Sequence, residues 1–199
     1  MKKLFLLFFV CTAFISCGAA RGGQAASDGE QGVVIDGVRW ATRNVGAPGT
    51  FVATPESVGM FFQWNNRRAL PATGAVENWD NTNAGGDSWA RDNDPCPAGW
   101  RVPTDAELTA LAEMGGSWTT QNGVEGKVFG TAPNQIFLPA AGWRSNSNGA
   151  LDGIGERGSY WSGGQVAATT ARGMGFAVGY SNMTSGPRAL GRPVRCVAM

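Results

Sequence analysis

DPCPAGWRVPTDAEL, residues 94–108, decides how this chain is read. It joins a cysteine, a Trp-Arg pair and a helix start in one short run. Pro103 blocks a helix from extending backwards. Thr104 and Glu107 spell a T-x-x-E capping box, in which each side chain satisfies the other residue's free backbone N–H. Leu108, Leu111 and Ala112 follow as an apolar stripe at helical spacing, and Gly115-Gly116 ends it. Asp105 and Glu107, two residues apart, are accounted for by the positive end of that helix, without a catalytic role.

Cys96 raises the question of compartment, and the N-terminus bears on it. MKKLFLLFFVCTAFISCGAA has a short positive region at Lys2 and Lys3, then an apolar run from Leu4 to Ile15. That run is too short to span a bilayer comfortably and has the proportions of a signal-peptide core. Ser16 then stands before Cys17, the arrangement a lipoprotein signal peptidase needs. Residues 1–16 are therefore read as a lipoprotein signal peptide, and Cys17 as the lipidation position. An ordinary secretory signal cleaved near Ala19 or Ala20 is the alternative. Residues 17–31 are small and polar and read as a flexible tether; residues 32–199 suit one domain. The expected location is the bacterial cell envelope, as an outer-membrane lipoprotein, periplasmic or surface-exposed, touching the membrane only through its lipid. Cys11 leaves with the signal. Cys96 and Cys196 remain, and in an oxidising envelope they most simply form a disulfide; two buried free thiols are the other reading.

Thirty glycines and eight tryptophans suggest many turns and large aromatic anchors. Removing Lys2 and Lys3 takes the formal charge from +1 to −1, and Lys127 is then the one lysine beside thirteen arginines. No basic patch or nucleic-acid motif emerges, so nucleic acid is not an expected partner. The arginines suit rigid hydrogen-bonding roles. Asp36-Gly37 between Val33-Val34-Ile35 and Val38-Arg39-Trp40-Ala41 predicts a hairpin. Residues 60–64 read as a buried strand or turn, 136–138 as a short strand stopped by Pro139, and 194–197 as a closing strand. Met174, Phe176, Val178 and Tyr180 alternate with Gly175, Ala177 and Gly179, which predicts one strand with a large face and a nearly bare one. The class is α+β, rich in loops, with no internal repeat.

Six segments in this order carry a resemblance: VVIDGVRWATRNVG, GMFFQWNNR, DPCPAGWRVPTDAELTAL, IFLPAAGWR, GSYWSGG and GRPVRCV. Together they resemble the Fibrobacter succinogenes major paralogous domain family over residues 33–198, with CPAGWRVPT and VRCV the most specific parts. The resemblance implies a fold similar to C-type lectins and formylglycine-generating enzymes. Such a fold has a small twisted antiparallel sheet, one or two helices, long loops and paired terminal strands. It also implies that Cys96 pairs with Cys196. Trp40, Trp100, Trp143 and Trp161 are expected in the core.

The chain has no histidine, which removes Ser-His-Asp and Cys-His arrangements and every imidazole metal ligand. Gly153-x-Gly155-x-x-Gly158 matches a dinucleotide fingerprint by letter, but Ser-Tyr-Trp-Ser-Gly-Gly follows it rather than a helix. Asp80, Asn81, Asn83, Asp87, Asp92, Asn93 and Asp94 crowd one region and would suit calcium; turn-bonding side chains on a solvated loop explain them as well. No enzyme activity, cofactor or metal is expected. What remains is ligand binding on the face built by residues 143–192. There Arg144, Tyr160, Arg172, Tyr180, Asn182 and Arg188 are the expected contacts, with Asn146 and Asn148 beside them. The expected function is a lipid-anchored binding or adhesion module for glycans or proteins. A structural subunit of a surface appendage or envelope complex is the alternative. A variable protein of a diversity-generating retroelement and a degenerate enzyme stand behind both.

Overall fold

Asp36 and Gly37 both take positive φ, 48° and 76°, which is the backbone of a two-residue hairpin turn whose twist matches its strands. The computed structural model describes residues 29–199; the expected signal peptide, Cys17 and most of the tether lie outside the described residues. The hairpin joins β1 (Val33–Ile35) to β2 (Val38–Trp40), in the register Val33 to Trp40. A long, mostly irregular stretch follows, with a 3₁₀ turn at Arg91–Asn93, and the chain then forms β3 (Trp100–Arg101). Helix α1 (Asp105–Glu113) starts at the predicted box: Thr104 Oγ1 accepts from Glu107 N at 3.3 Å, and Glu107 Oε2 accepts from Thr104 N at 2.8 Å. Leu108, Leu111 and Ala112 are buried, as their spacing requires.

Then come β4 (Ser117–Gln121), β5 (Val124–Thr131) and β6 (Asn134–Pro139), an antiparallel meander. The strand expected at 136–138 is the buried centre of β6. β7 (Trp143–Arg144) pairs with β8 (Leu151–Asp152). β9 (Gly158–Ala167), β10 (Thr170–Ala177) and β11 (Tyr180–Pro187) form a second three-stranded antiparallel sheet. Finally β12 (Val197–Ala198) enters between β2 and β3, with Val197 opposite both Trp40 and Arg101. The first and last strands of the described domain thus share one sheet, in the order β1-β2-β12-β3. The described residues form small antiparallel sheets with one α-helix.

The run from Met174 to Tyr180 is not one strand. It breaks at Val178-Gly179, a two-residue turn, and Tyr180 opens β11 opposite Ala177. Val178, at the tip, is 70% exposed rather than packed with Met174 and Phe176. Met174 and Phe176 do make one large face, fully buried against Leu108, Leu111, Phe129 and Ile136. A second core surrounds the disulfide of Cys96 with Cys196, whose Cα atoms lie 6.1 Å apart, and takes in Phe62, Trp64, Trp100, Trp161 and Val194. The disulfide pins the 94–108 run to the C-terminal strand, and Cys196 O accepts from Ala41 N at 2.9 Å. Trp40, Trp100 and Trp161 are core residues; Trp143 is only half-buried.

Arginines carry much of the loop architecture. Arg195, deep in the interior, donates from Nε to Asn44 Oδ1, from Nη1 to Ala41 O and from Nη2 to Phe137 O, at 2.9, 3.2 and 3.0 Å. Burial pushes its pKa down to about 10, and the three acceptors are what make a cation tolerable there.

Candidate functional site

The bare face of β10 is the floor of a pocket. Cross-strand pairing puts Trp161, Gly173 and Thr184 in one row, and Ser159, Gly175 and Asn182 in the next. The space over Gly173 is filled by the Arg192 guanidinium, but glycine at 175 leaves no side chain in the middle of its row, so Ser159 and the residues of β11 look across a depression. Its volume is about 190 Å³, and Trp143, Arg157, Tyr180, Thr184, Leu190 and Arg192 supply its walls. Arg157 and Tyr180 are exposed, Trp143 is half-buried and Arg192 is only 4% exposed. The walls come from four separate segments: β7, the turn before β9, β11 and the Leu190–Arg192 stretch.

Of the six residues expected as contacts, Tyr180 alone lines this pocket. Asn182 is exposed on the same face, opposite Gly175. Arg172 is exposed elsewhere and pairs with Asp105, Nε to Oδ2 at 3.3 Å. The other three expectations are corrected. Arg144 is fully buried: Nε and Nη2 donate to Pro71 O at 3.0 and 2.6 Å, Nη2 also reaches Thr73 O and Gly74 O, and Nη1 reaches Gly149 O at 2.6 Å. Tyr160 is fully buried; its hydroxyl donates to Pro139 O at 3.0 Å and accepts from Asn44 Nδ2 at 3.1 Å, and burial pushes its pKa up to about 12. Arg188 is buried over the Trp64 ring, 4.3 Å from its centroid, and holds Ala84 O, Gln165 Oε1 and Ala167 O, each at 2.7 Å. Arg144 and Arg188 face inward because their guanidinium groups satisfy carbonyls of irregular stretches at 71–74 and 84, and Tyr160 because its hydroxyl joins the end of β6 to Asn44. Asn146 and Asn148 lie exposed in the turn between β7 and β8.

A second concavity, of about 380 Å³, opens beside the 94–108 run and is lined by Trp89, Arg91, Asp94, Arg101, Asp105 and the bare Gly163-Gly164 of β9. Most of its charges are already engaged. Asp94 accepts from Cys96 N at 2.9 Å and Val102 N at 3.1 Å, and burial raises its pKa. Arg101 holds Glu107 through two hydrogen bonds, and Ser162 Oγ donates to Asp105 at 2.7 Å. These carboxylates hold the loop and the helix start, and the cleft offers a ligand the Trp89 ring, the exposed Arg91 side chain and backbone.

Several side chains of the oxygen-rich region are likewise engaged, one in its own turn and two with distant segments. Asp80 caps Thr82 N at 2.9 Å, Asp87 accepts from Gln165 Nε2 at 3.0 Å, and Asn83 accepts from Ala189 N at 3.2 Å. Among the described residues no three His, Cys, Asp or Glu side chains come together as a metal site. Gly153 and Gly155 turn the chain between β8 and β9, and Gly158 begins β9 under the Phe176 ring. Comparison of the chain with protein-family models, with curated proteins and with solved structures found no match.

Proposed function

We propose that this chain is a lipid-anchored binding module of the bacterial cell envelope, with the C-type-lectin-like fold of the Fibrobacter succinogenes major paralogous domain family, and that it presents the bare face of β9–β11 to a glycan, without catalysis. The observation that carries the reading is the pocket itself. Gly175 in β10 and Gly158 in β9 open it, and aromatic rings, hydroxyls and arginines from four segments converge on it. Aromatic faces cover the apolar side of a sugar ring while hydroxyls and guanidinium groups hold its oxygens. The joined terminal strands, the single helix and the disulfide to the last strand support the fold assignment.

Glycan and protein arrays probed with the purified protein test the reading. Glycan binding that falls with Trp143→Ala or Tyr180→Ala supports it. Retention on protein spots alone would move the ligand class to protein. Blank arrays, with the chain recovered in a stable envelope complex, would favour the structural-subunit reading. Metabolic labelling with a palmitate analogue tests the anchor: label lost in Cys17→Ser supports it, and label retained sinks it.

A further inference from the structure

Among the described residues four arginines are buried, and one of them differs in kind. Arg144 and Arg195 give every guanidinium nitrogen a carbonyl or amide oxygen, and Arg188 does so with both Nη atoms, leaving its Nε alone without a partner. Arg192 has no hydrogen-bond partner at Nε or Nη1, and no carboxylate compensates its charge. Burial lowers its pKa to about 10, so it is still a cation at neutral pH. A buried cation without a counter-charge is unfavourable, and proteins retain one where something else answers it.

The surroundings hold that guanidinium in place rather than letting it escape. The Arg192 backbone is bridged both ways to Phe62, N to O and O to N, each at 2.9 Å. Trp161 Nε1 donates to the same Phe62 carbonyl at 2.8 Å, and this fixes the indole. The guanidinium carbon then lies 4.1 Å from the Trp161 ring centroid. Gly173 and Gly186 complete the slot. A Cβ on either would stand 2.6 Å from a guanidinium nitrogen, Nη1 for Gly173 and Nη2 for Gly186. The slot is pre-formed, so little ordering remains to be done when a ligand arrives. Nε and Nη1 of Arg192 are closed from solvent, and Arg192 is one of the residues lining the 190 Å³ pocket, whose rim carries a second arginine, Arg157, and the hydroxyls of Ser159, Thr184, Ser185 and Tyr180.

We propose that this pocket takes the carboxylate of an acidic sugar of the uronic acid type, with Arg192 as its buried counter-cation, Arg157 closing over it and Trp143 and Tyr180 flanking the ring. The assignment rests on the glycan-binding reading above and narrows it. The volume lies below the range of a drug-sized ligand and suits one sugar residue, such as the end of a chain. Carboxylate matches a planar guanidinium better than any neutral sugar group does.

Calorimetric titration of the purified protein with methyl glucuronide and methyl glucoside reads the charge requirement directly. Nε–Hε signals of the arginines, followed by NMR with acetate and with inorganic sulfate, read the site. The glucuronide is expected to bind about tenfold or more tightly than the glucoside. Acetate is expected to shift the Arg192 signal. Arg192→Met, which keeps the packing on Trp161 and removes the unpaired charge, abolishes the preference while the melting temperature holds or rises. Arg157→Gln, at the exposed rim, weakens the glucuronide several-fold without touching the fold. Equal affinity for the two glycosides overturns the carboxylate assignment and leaves the binding module standing. Sulfate shifting the Arg192 signal while the glucuronide does not would overturn it in favour of a bare oxyanion site. A lower melting temperature in Arg192→Met with the preference intact in Arg157→Gln would make Arg192 a packing residue. Blank arrays across glycans and proteins overturn the module reading itself.

Discussion

Gly158 lies against the ring of Phe176: a Cβ built on it would stand 1.9 Å from Cζ and 2.2 and 2.5 Å from the two Cε atoms, so the buried ring would have to shift to admit it. The two residues face each other across the first pair of the β9–β10 ladder. Phe176 is also the centre of an aromatic group, 5.6 Å from Phe129, 6.0 Å from Tyr160 and 6.5 Å from Trp118 between ring centroids. Gly158→Ala is therefore an overpacking mutation at the middle of the main core and is expected to destabilise by about 2–3 kcal/mol. Urea unfolding with an unchanged midpoint would show that the ring moves aside freely.

Arg101 and Glu107 set a pH window. The Arg101 guanidinium donates to both carboxylate oxygens, at 2.8 and 2.7 Å, and Thr104 adds its N–H and hydroxyl. Together they hold Glu107 at about 2, against an ordinary 4.5. A value depressed on folding means the stabilisation is fully present above about pH 4.5 and is lost as pH falls towards 2. The pair is partly open to water, so its worth at neutral pH is about 1 kcal/mol. Melts of the protein and of Glu107→Gln should differ at pH 6 and converge near pH 2. A gap that stays constant with pH would assign the loss to the cap geometry alone.

The disulfide joins residues 100 apart and ties the 94–108 run to the strand that completes the terminal sheet. In the chain-entropy picture, closing a loop of that length restricts the unfolded chain by up to ~4–5 kcal/mol. Cys96→Ser and Cys196→Ser should each lower stability by a few kcal/mol and respond identically to reductant. Mass spectrometry of the native, non-reduced protein should find no free thiol at either position. Two free thiols there would sink the prediction.

The sequence spoke most clearly where one local signal suffices. The Thr104–Glu107 box and the Asp36-Gly37 turn depend only on near neighbours, and both stand where their spacing put them. The alternation at 174–177 marked the faces of β10, yet Val178-Gly179 hid a turn inside the same alternation, because a two-residue hairpin preserves it. Asn122-Gly123, with φ of 49° and 80°, turns β4 into β5 and is as strong a hairpin signal as Asp36-Gly37. Polar Thr119 and Thr120 ahead of it give too little apolar contrast to frame a strand. The site was harder. Arg144 and Arg188 have the same local sequence character whether they face water or a carbonyl some 70–100 residues away. The pocket's floor was legible as a bare face, but its walls meet only in the folded chain.

Arg144 offers the sharpest test of the loop architecture. Its fork collects carbonyls from Pro71, Thr73, Gly74 and Gly149, and its aliphatic stem backs Gly191, whose own N–H and carbonyl pair with Arg144. Phe61 lies beneath the guanidinium, 5.6 Å from ring centroid to carbon. A lysine keeps the charge but cannot reproduce a planar fork serving four acceptors. Arg144→Lys should cost about 2–3 kcal/mol, because several carbonyls lose their donor at once. The damage should also be local. Hydrogen exchange is expected to quicken in residues 70–79, while amides of β5 and β10 stay protected apart from the drop in global stability. Uniform loss of protection across the molecule would mean that this loop unfolds only with the whole. No loss anywhere would mean that water replaces the fork at little cost.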